Sequence, residues 1–173
     1  MCLYPSLEAL GVKLQSVSAL HTDHAEALAK KYSIPHAYDS YQTMLAKEKL
    51  DGVFIAVSEA KHVDIVLHCL MAGIHVFVEK PLGSTVVDAL RIADVSKKTG
   101  KHVQVGYMKR FSPVYQKAKL FMNDPESFGI PVSLHSIFTC RNFGFGTDER
   151  NFILNAAIHN IDLLRYLAGE IVD

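Results

Sequence analysis

The chain has no excess of charge of either sign: eighteen lysines and arginines stand against eighteen aspartates and glutamates in 173 residues. Nucleic acids and anionic membranes are bound through a basic surplus, so neither is expected as a partner. Cysteine is equally scarce. Cys2, Cys69 and Cys140 are odd in number, far apart and form no CxxC pair, which excludes a zinc ribbon and a disulfide framework and fits reduced thiols in a cytoplasmic protein. No metal is expected, because His21 and His24 have no third ligand nearby and read as a solvated helix start. No apolar run reaches the roughly 18 residues a membrane helix needs. The nearest, residues 65–78, is interrupted by His68, Gly73 and His75. The opening Met-Cys-Leu-Tyr-Pro has neither the basic nor the apolar region of a secretory signal, and there is no Gly/Ser linker, repeat or low-complexity tract. With 49% apolar residues, a soluble protein with one sizeable core and room for the start of a second domain is expected.

Short β-branched runs alternate with amphipathic segments, the pattern of a parallel sheet covered by helices. Strands are expected at 12–19, 52–57, 75–78 and 102–106, and helices at 23–31 and 40–46, the latter started by Asp39 or Ser40. Val63, Val66, Leu67 and Leu70 recur with helical spacing, and Val86, Leu90 and Ala93 mark another apolar face. Ser84 or Thr85 is placed to cap that second helix, and Lys97 and Lys98 form its solvated end, where cations suit the macrodipole. Beyond residue 107 the rhythm changes. Ser112-Pro113 reads as an N-cap with proline at the first helical position, opening a helix to about Asn123. A long strand is expected at 132–141, a loop at 142–150, and a last helix at 155–168 with Ala157, Ile161, Leu164 and Ala168 buried.

Two groups carry chemistry. Glu79-Lys80-Pro81 follows the strand-like His75-Val76-Phe77-Val78, and in open parallel sheets ligands sit beyond the carboxyl ends of the strands. On the last helix, Asn155, His159, Asp162 and Tyr166 share one face. Histidine exchanges protons near neutrality. A lysine and a histidine converging on one pocket suit hydride transfer from a carbinol carbon to a nicotinamide, the imidazole taking the hydroxyl proton while the ammonium polarises the oxygen.

Glu79-Lys80-Pro81, the segment from Val105 to Phe111 (VGYMKRF) and the segment from Ile158 to Leu164 (IHNIDLL) occur in one order. In this the chain resembles the Gfo/Idh/MocA family of NAD(P)-dependent oxidoreductases, which act mainly on sugars, inositols and related polyols. The resemblance implies an α/β fold: an incomplete, doubly wound NAD(P)-binding Rossmann domain over residues 1–107, then the beginning of an α+β substrate and oligomerisation domain over 108–173. It implies Lys80 and His159 as catalytic residues. Val57, Ser58, His62, Glu79 and Lys80 would lie along NAD or NADP; Asn155, Asp162 and Arg110 would face a sugar or polyol. A homo-oligomer is compatible with it.

Departures from the family pattern are equally legible. The strand and glycine-rich turn that approach the pyrophosphate do not occur, since the first glycine is Gly11, after a segment resembling the tail of the first helix, Tyr4 to Leu10. Gly144-Phe145-Gly146 is no substitute, with Glu149 where a third glycine belongs. The chain thus reads as the middle of a longer protein. Ala19, at the second strand's end where NAD-preferring members carry an acid, removes repulsion of a 2′-phosphate and mildly favours NADP. Asn155 stands where many members have an aspartate. A catalytically silent fragment acting through protein contacts, or a small-molecule sensor, stays open as an alternative.

Overall fold

The computed structural model describes residues 3–139 and 149–169. After α1 (Leu3–Ala9), the chain alternates β1 (Ser16–Ser18), α2 (Thr22–Lys31), β2 (His36–Tyr38), α3 (Tyr41–Lys47), β3 (Gly52–Ile55), α4 (His62–Met71), β4 (His75–Val78), α5 (Val86–Thr99) and β5 (Val103–Val105). All the strand pairs are parallel. β1 pairs with β2, while β3, β4 and β5 form a second sheet in that order, with Ile55 opposite Val78 and Val78 opposite Val105. This is the parallel α/β architecture that the alternation predicts, present as a partial domain. A cavity of about 200 Å³ lies between the sheets, lined by residues of β1 and β3 with Tyr4 and Leu7 of α1.

The core sits where α4 and α5 cover the three-stranded sheet: Ile55, Val66, Leu67, Cys69, Leu70, Ile74, Val76, Val78 and Ile92 form one buried cluster. Full burial of aliphatic side chains such as Leu70 and Ile92 contributes about 1.5–3 kcal/mol each. The same burial pushes the Cys69 thiol up to about 11, so it packs as an apolar group rather than reacting as a thiolate. Cys2 and Cys140 lie outside the described residues.

The α4 stripe is as expected, with Val66, Leu67 and Leu70 buried and Val63 packed against the core. On α5 the outcome differs. Val86 is 75% and Leu90 64% exposed, whereas Ile92 is 1% exposed, because the helix turns the neighbouring row through Ile92 and Val95 onto the core. Both rows satisfy the helical period, so periodicity alone cannot choose. Thr85, not Ser84, is the cap: its hydroxyl accepts from the Asp88 N–H at 3.1 Å while the Asp88 carboxylate accepts from the Thr85 N–H, also at 3.1 Å. Ser40 caps α3 in the same way, accepting from the Thr43 N–H. β2 is an element the sequence pattern misses, being three residues long and bounded by turns.

Beyond β5, a 3₁₀ turn (Met108–Phe111) leads into α6 (Pro113–Met122). Ser112 is the residue before α6, but its hydroxyl makes no capping bond; its backbone carbonyl accepts from the Gln116 N–H instead. Residues 132–139 are not a strand. They have no neighbouring strand among the described residues to share a ladder, and a strand is defined by that sharing; residues 140 and 141 lie outside the described residues. The last helix begins earlier than expected, as α7 (Glu149–Phe152), and continues through a π-helical turn (Ile153–Ala157) into α8 (Ile158–Ala168). Residues 142–148 of the expected loop are not described. The α8 stripe is also corrected. Ile161 is 45% exposed while Ala156 and Leu163 are buried at 7% and 8%, because the helix meets the body through polar contacts on its other face.

At the end of β2, one carboxylate ties three segments together. Glu48 accepts from the Tyr38 hydroxyl at 2.7 Å, from Gln15 Nε2 at 3.1 Å and from the His36 imidazole. These hydrogen bonds, that of Tyr38 first, hold the Glu48 carboxyl down to about 2. Its contribution to stability is therefore complete above the unfolded-state carboxyl range of about 4.3 and is lost as pH falls from there towards about 2. Urea midpoints measured across that window are expected to fall more steeply for the parent than for Glu48→Gln; parallel curves would refute the assignment.

Candidate active site

The site is built where three parallel strands end. Ladder bonds continue past the strands, from the Glu79 N–H to the Ile55 carbonyl and from the Gly106 N–H to the Val78 carbonyl, both 2.9 Å. The chain ends carrying Val57, Glu79 and Gly106 therefore emerge side by side. A Cβ on Gly106 would lie 3.4 Å from Glu79 Oε2 and Phe77 Cζ, so the Glu79 carboxylate packs against the neighbouring strand end. Val57 is 50% exposed and Ser58 is also exposed. The Lys80-Pro81 peptide bond is cis, where trans is the sequence default.

The α7–α8 segment lies across these strand ends, and cations hold it there. Lys80 Nζ donates to the Asn155 carbonyl at 2.9 Å. Arg110 donates through Nε and Nη2 to the two Asp162 carboxylate oxygens at 2.8 and 2.6 Å, and its guanidinium lies 5.5 Å from the Tyr166 ring centroid. Lys109 bonds the Asn160 side-chain oxygen, Lys119 the Leu167 carbonyl at 2.9 Å, and Arg150 reaches back to the Ser84 carbonyl at 2.8 Å. Asn155 sits in the π turn, a local widening found frequently at functional sites.

His159 follows one turn after Asn155. Its Nδ1 is shielded from solvent and has no hydrogen-bond partner. Burial, then the charges of Lys80 and Lys109, lower its pKa from 6.5, while Glu79 and Asp162 act the other way. The result is a neutral imidazole at neutrality, held beside an ammonium, with one polar atom unclaimed by protein. This arrangement can accept a proton from a hydroxyl placed between Lys80 and His159.

The structure thus brings together Lys80, His159, Glu79 and Asn155 at one edge, with Val57 and Ser58 exposed at the neighbouring strand end. Three expectations take a different form. His62 is only 1% exposed, with Nδ1 2.7 Å from the Pro81 carbonyl and Nε2 3.2 Å from that of Val57, so it lies beneath the corner rather than on its open face. Arg110 and Asp162 bond each other through two parallel hydrogen bonds. Asn155 meets Lys80 through its backbone carbonyl, and its side-chain amide bonds Asn151. Lys109, which the sequence reading names only within a motif, belongs to the charge set around His159. Its position one residue before Arg110 was the available signal.

Comparison with known proteins gives the chain's family and fold. Residues 4–107 match the model of the GFO_IDH_MocA oxidoreductase family, NAD-binding Rossmann fold. The chain is 30% identical over 166 residues to the inositol 2-dehydrogenase of Salmonella typhimurium, covering 92% of this chain and 48% of that protein. Among solved structures, the myo-inositol 2-dehydrogenase of Lactobacillus plantarum superposes with a TM-score of 0.74 at 26% identity, over 92% of this chain and 49% of that one. The WlbA dehydrogenase of Chromobacterium violaceum, solved with NADH and UDP-GlcNAcA, gives a TM-score of 0.80 at 23% identity over 96% and 51%, a likeness of fold. The chain spans about half the length of the curated relatives it matches. Among the described residues, no helix is long and apolar enough to cross a membrane.

Two measurements check the site. Replacing Arg110 by Met leaves the Asp162 carboxylate, 8% exposed, without its guanidinium, and is expected to cost about 2 kcal/mol in urea unfolding; a change within error would show the pair to be incidental. In an NMR titration the His159 imidazole is expected to have its midpoint below 6.5, moving upward in Lys80→Met as one repelling charge is removed. A midpoint at or above 6.5 in the parent would contradict the electrostatic description.

Proposed function

The chain belongs to the Gfo/Idh/MocA family of oxidoreductases, and from that premise we propose that it carries the catalytic core of an NAD(P)-dependent dehydrogenase acting on a secondary hydroxyl of a polyol or sugar, of the inositol class. The observation that carries this reading is that the Lys80 ammonium, bonded to the Asn155 carbonyl one turn before His159, acts with burial to keep that imidazole neutral. In this reading residues 1–107 form the dinucleotide-binding part and 108–173 the first part of the substrate domain. The inositol assignment rests on what the relatives are named for, and on the hydroxyl chemistry the site supports.

The residues present fit one end of the dinucleotide. Exposed Val57 and Ser58, with Glu79 and Lys80, offer a wall for the nicotinamide ribose. A glycine-rich turn for the pyrophosphate is not among the described residues. When bound, the dinucleotide supplies the hydride acceptor. Lys80 has three donors; one is used on the Asn155 carbonyl, leaving two to hold the substrate oxygen and stabilise the negative charge that develops there. His159 receives the hydroxyl proton on its imidazole, and its lowered basicity keeps it unprotonated at neutral pH. In the reverse direction the protonated imidazole returns that proton to a carbonyl oxygen. Ala19 favours NADP over NAD, because no carboxylate there repels a 2′-phosphate. A cytoplasmic location suits the cofactor pool and the thiol pattern.

Titration of the purified chain with NADH and NADPH, followed by assay with myo-inositol and a panel of sugars, tests the proposal. Binding is expected to be tighter for NADPH, and Lys80→Ala or His159→Ala is expected to lower turnover about 100- to 10,000-fold with the fold intact. Unchanged turnover in both variants would sink the catalytic assignment. Failure of both cofactors to bind would favour the silent-fragment reading.

A further inference from the structure

Lysine 80 is a long, flexible side chain, so where its amine points depends on how firmly its backbone is held. The corner from Glu79 to Thr85 is fixed at both ends: the Glu79 N–H continues the ladder to Ile55, and the Thr85–Asp88 box starts α5. Near the far end Gly83 is so close to α4 and α5 that a Cβ would meet Asp88 Cβ at 2.7 Å and Val63 Cγ2 at 3.2 Å. Between these anchors the Pro81 carbonyl is buried and has no partner on the sheet. His62 takes it. The imidazole is the first residue of α4, and α4 is set into the core by Val66, Leu67 and Leu70, so the ring is a fixed post. Its other nitrogen faces the carbonyl of Val57, where β3 leaves the sheet.

We infer that His62 is a positioning residue for Lys80: by donating from Nδ1 to the Pro81 carbonyl at 2.7 Å, it ties the lysine corner to the start of α4 and so aims the ammonium at the π turn that precedes His159. Burying a polar ring costs more than filling the same space with an apolar side chain, unless the ring's hydrogen bond serves the geometry. A purely packing role would need only volume. The inference rests on the functional reading for its importance in catalysis, but the contact it describes is within this chain.

The test uses the chain itself and needs no cofactor. The groups facing His159 are Lys80, Lys109, Glu79 and Asp162, and the NMR titration of His159 reports on the nearness of the Lys80 ammonium. His62→Phe fills the volume and removes the hydrogen bond to the Pro81 carbonyl. With circular dichroism unchanged, its His159 midpoint is expected to move upward most of the way to that of Lys80→Met, and a second shift is not expected when Lys80→Met is added. His62→Gln, which keeps a donor for one carbonyl, is expected to lie between His62→Phe and the parent. A folded His62→Phe with the parent's midpoint would overturn the inference. If His62→Phe does not fold, His62→Gln decides: an upward shift supports the role and the parent's midpoint refutes it. Loss of NAD(P) binding with these shifts intact would refute the oxidoreductase reading and leave the positioning role standing.

Discussion

The ion pair of Arg110 with Asp162 is the contact on which the site's geometry depends. Arg110 lies in the 3₁₀ turn that follows β5, and Asp162 lies on α8, 52 residues later in the chain. Two parallel hydrogen bonds between planar groups fix both distance and rotation, so the pair sets how far along its axis α8 sits and which face it turns inward. His159 is three residues before Asp162 on that helix and is carried to the strand ends by the same constraint. Apolar packing contributes through Leu163, 8% exposed, but not through Ile161, which is 45% exposed.

A helix held by cations gains an electrostatic environment along with its position. Lys80, Lys109, Arg110 and Lys119 all donate to acceptors on the helix or its π turn. Two of these acceptors, the carbonyls of Asn155 and Leu167, are backbone groups, which remain acceptors whatever the side chain. That explains how Asn155 can stand where an aspartate is common without losing the lysine contact: Lys80 reads the backbone there, and the side chain is turned to Asn151.

The parts of the fold legible in the sequence are those where a single apolar pattern is available to enter the core. His75-Val76-Phe77-Val78 is a central strand at the boundaries its β-branched run suggests, and the α4 stripe is the one that enters the core. The helices α5 and α8 were harder because each carries two rows with the right period, and the choice between them is made by tertiary contacts: Ile92 against α4 in one case, Asp162 with Arg110 in the other. Residues 132–139 have β propensity in abundance, but propensity supplies no partner for the ladder. Lys80 and His159 were legible as a pair only through their order with the intervening VGYMKRF segment. His62 was legible as a member of the site and not in its place beneath it, because sequence does not reveal which side of a corner a side chain enters from.

Proton transfer imposes opposite demands on the two central groups. The lysine must stay charged to hold a developing oxyanion, while the histidine must be neutral to take a proton. Placing them together helps the histidine, since the ammonium repels a proton from the imidazole and the half-buried ring does not stabilise charge on itself. Too much positive charge would leave His159 too weak a base, and here Glu79 and Asp162 offset part of the effect of Lys80 and Lys109. The Glu79 carboxylate packs against Gly106 at the next strand end. Glu79 and Lys80 therefore act on His159 with opposite sign from adjacent positions of one strand end, and the basicity of the imidazole is set by where that corner is held.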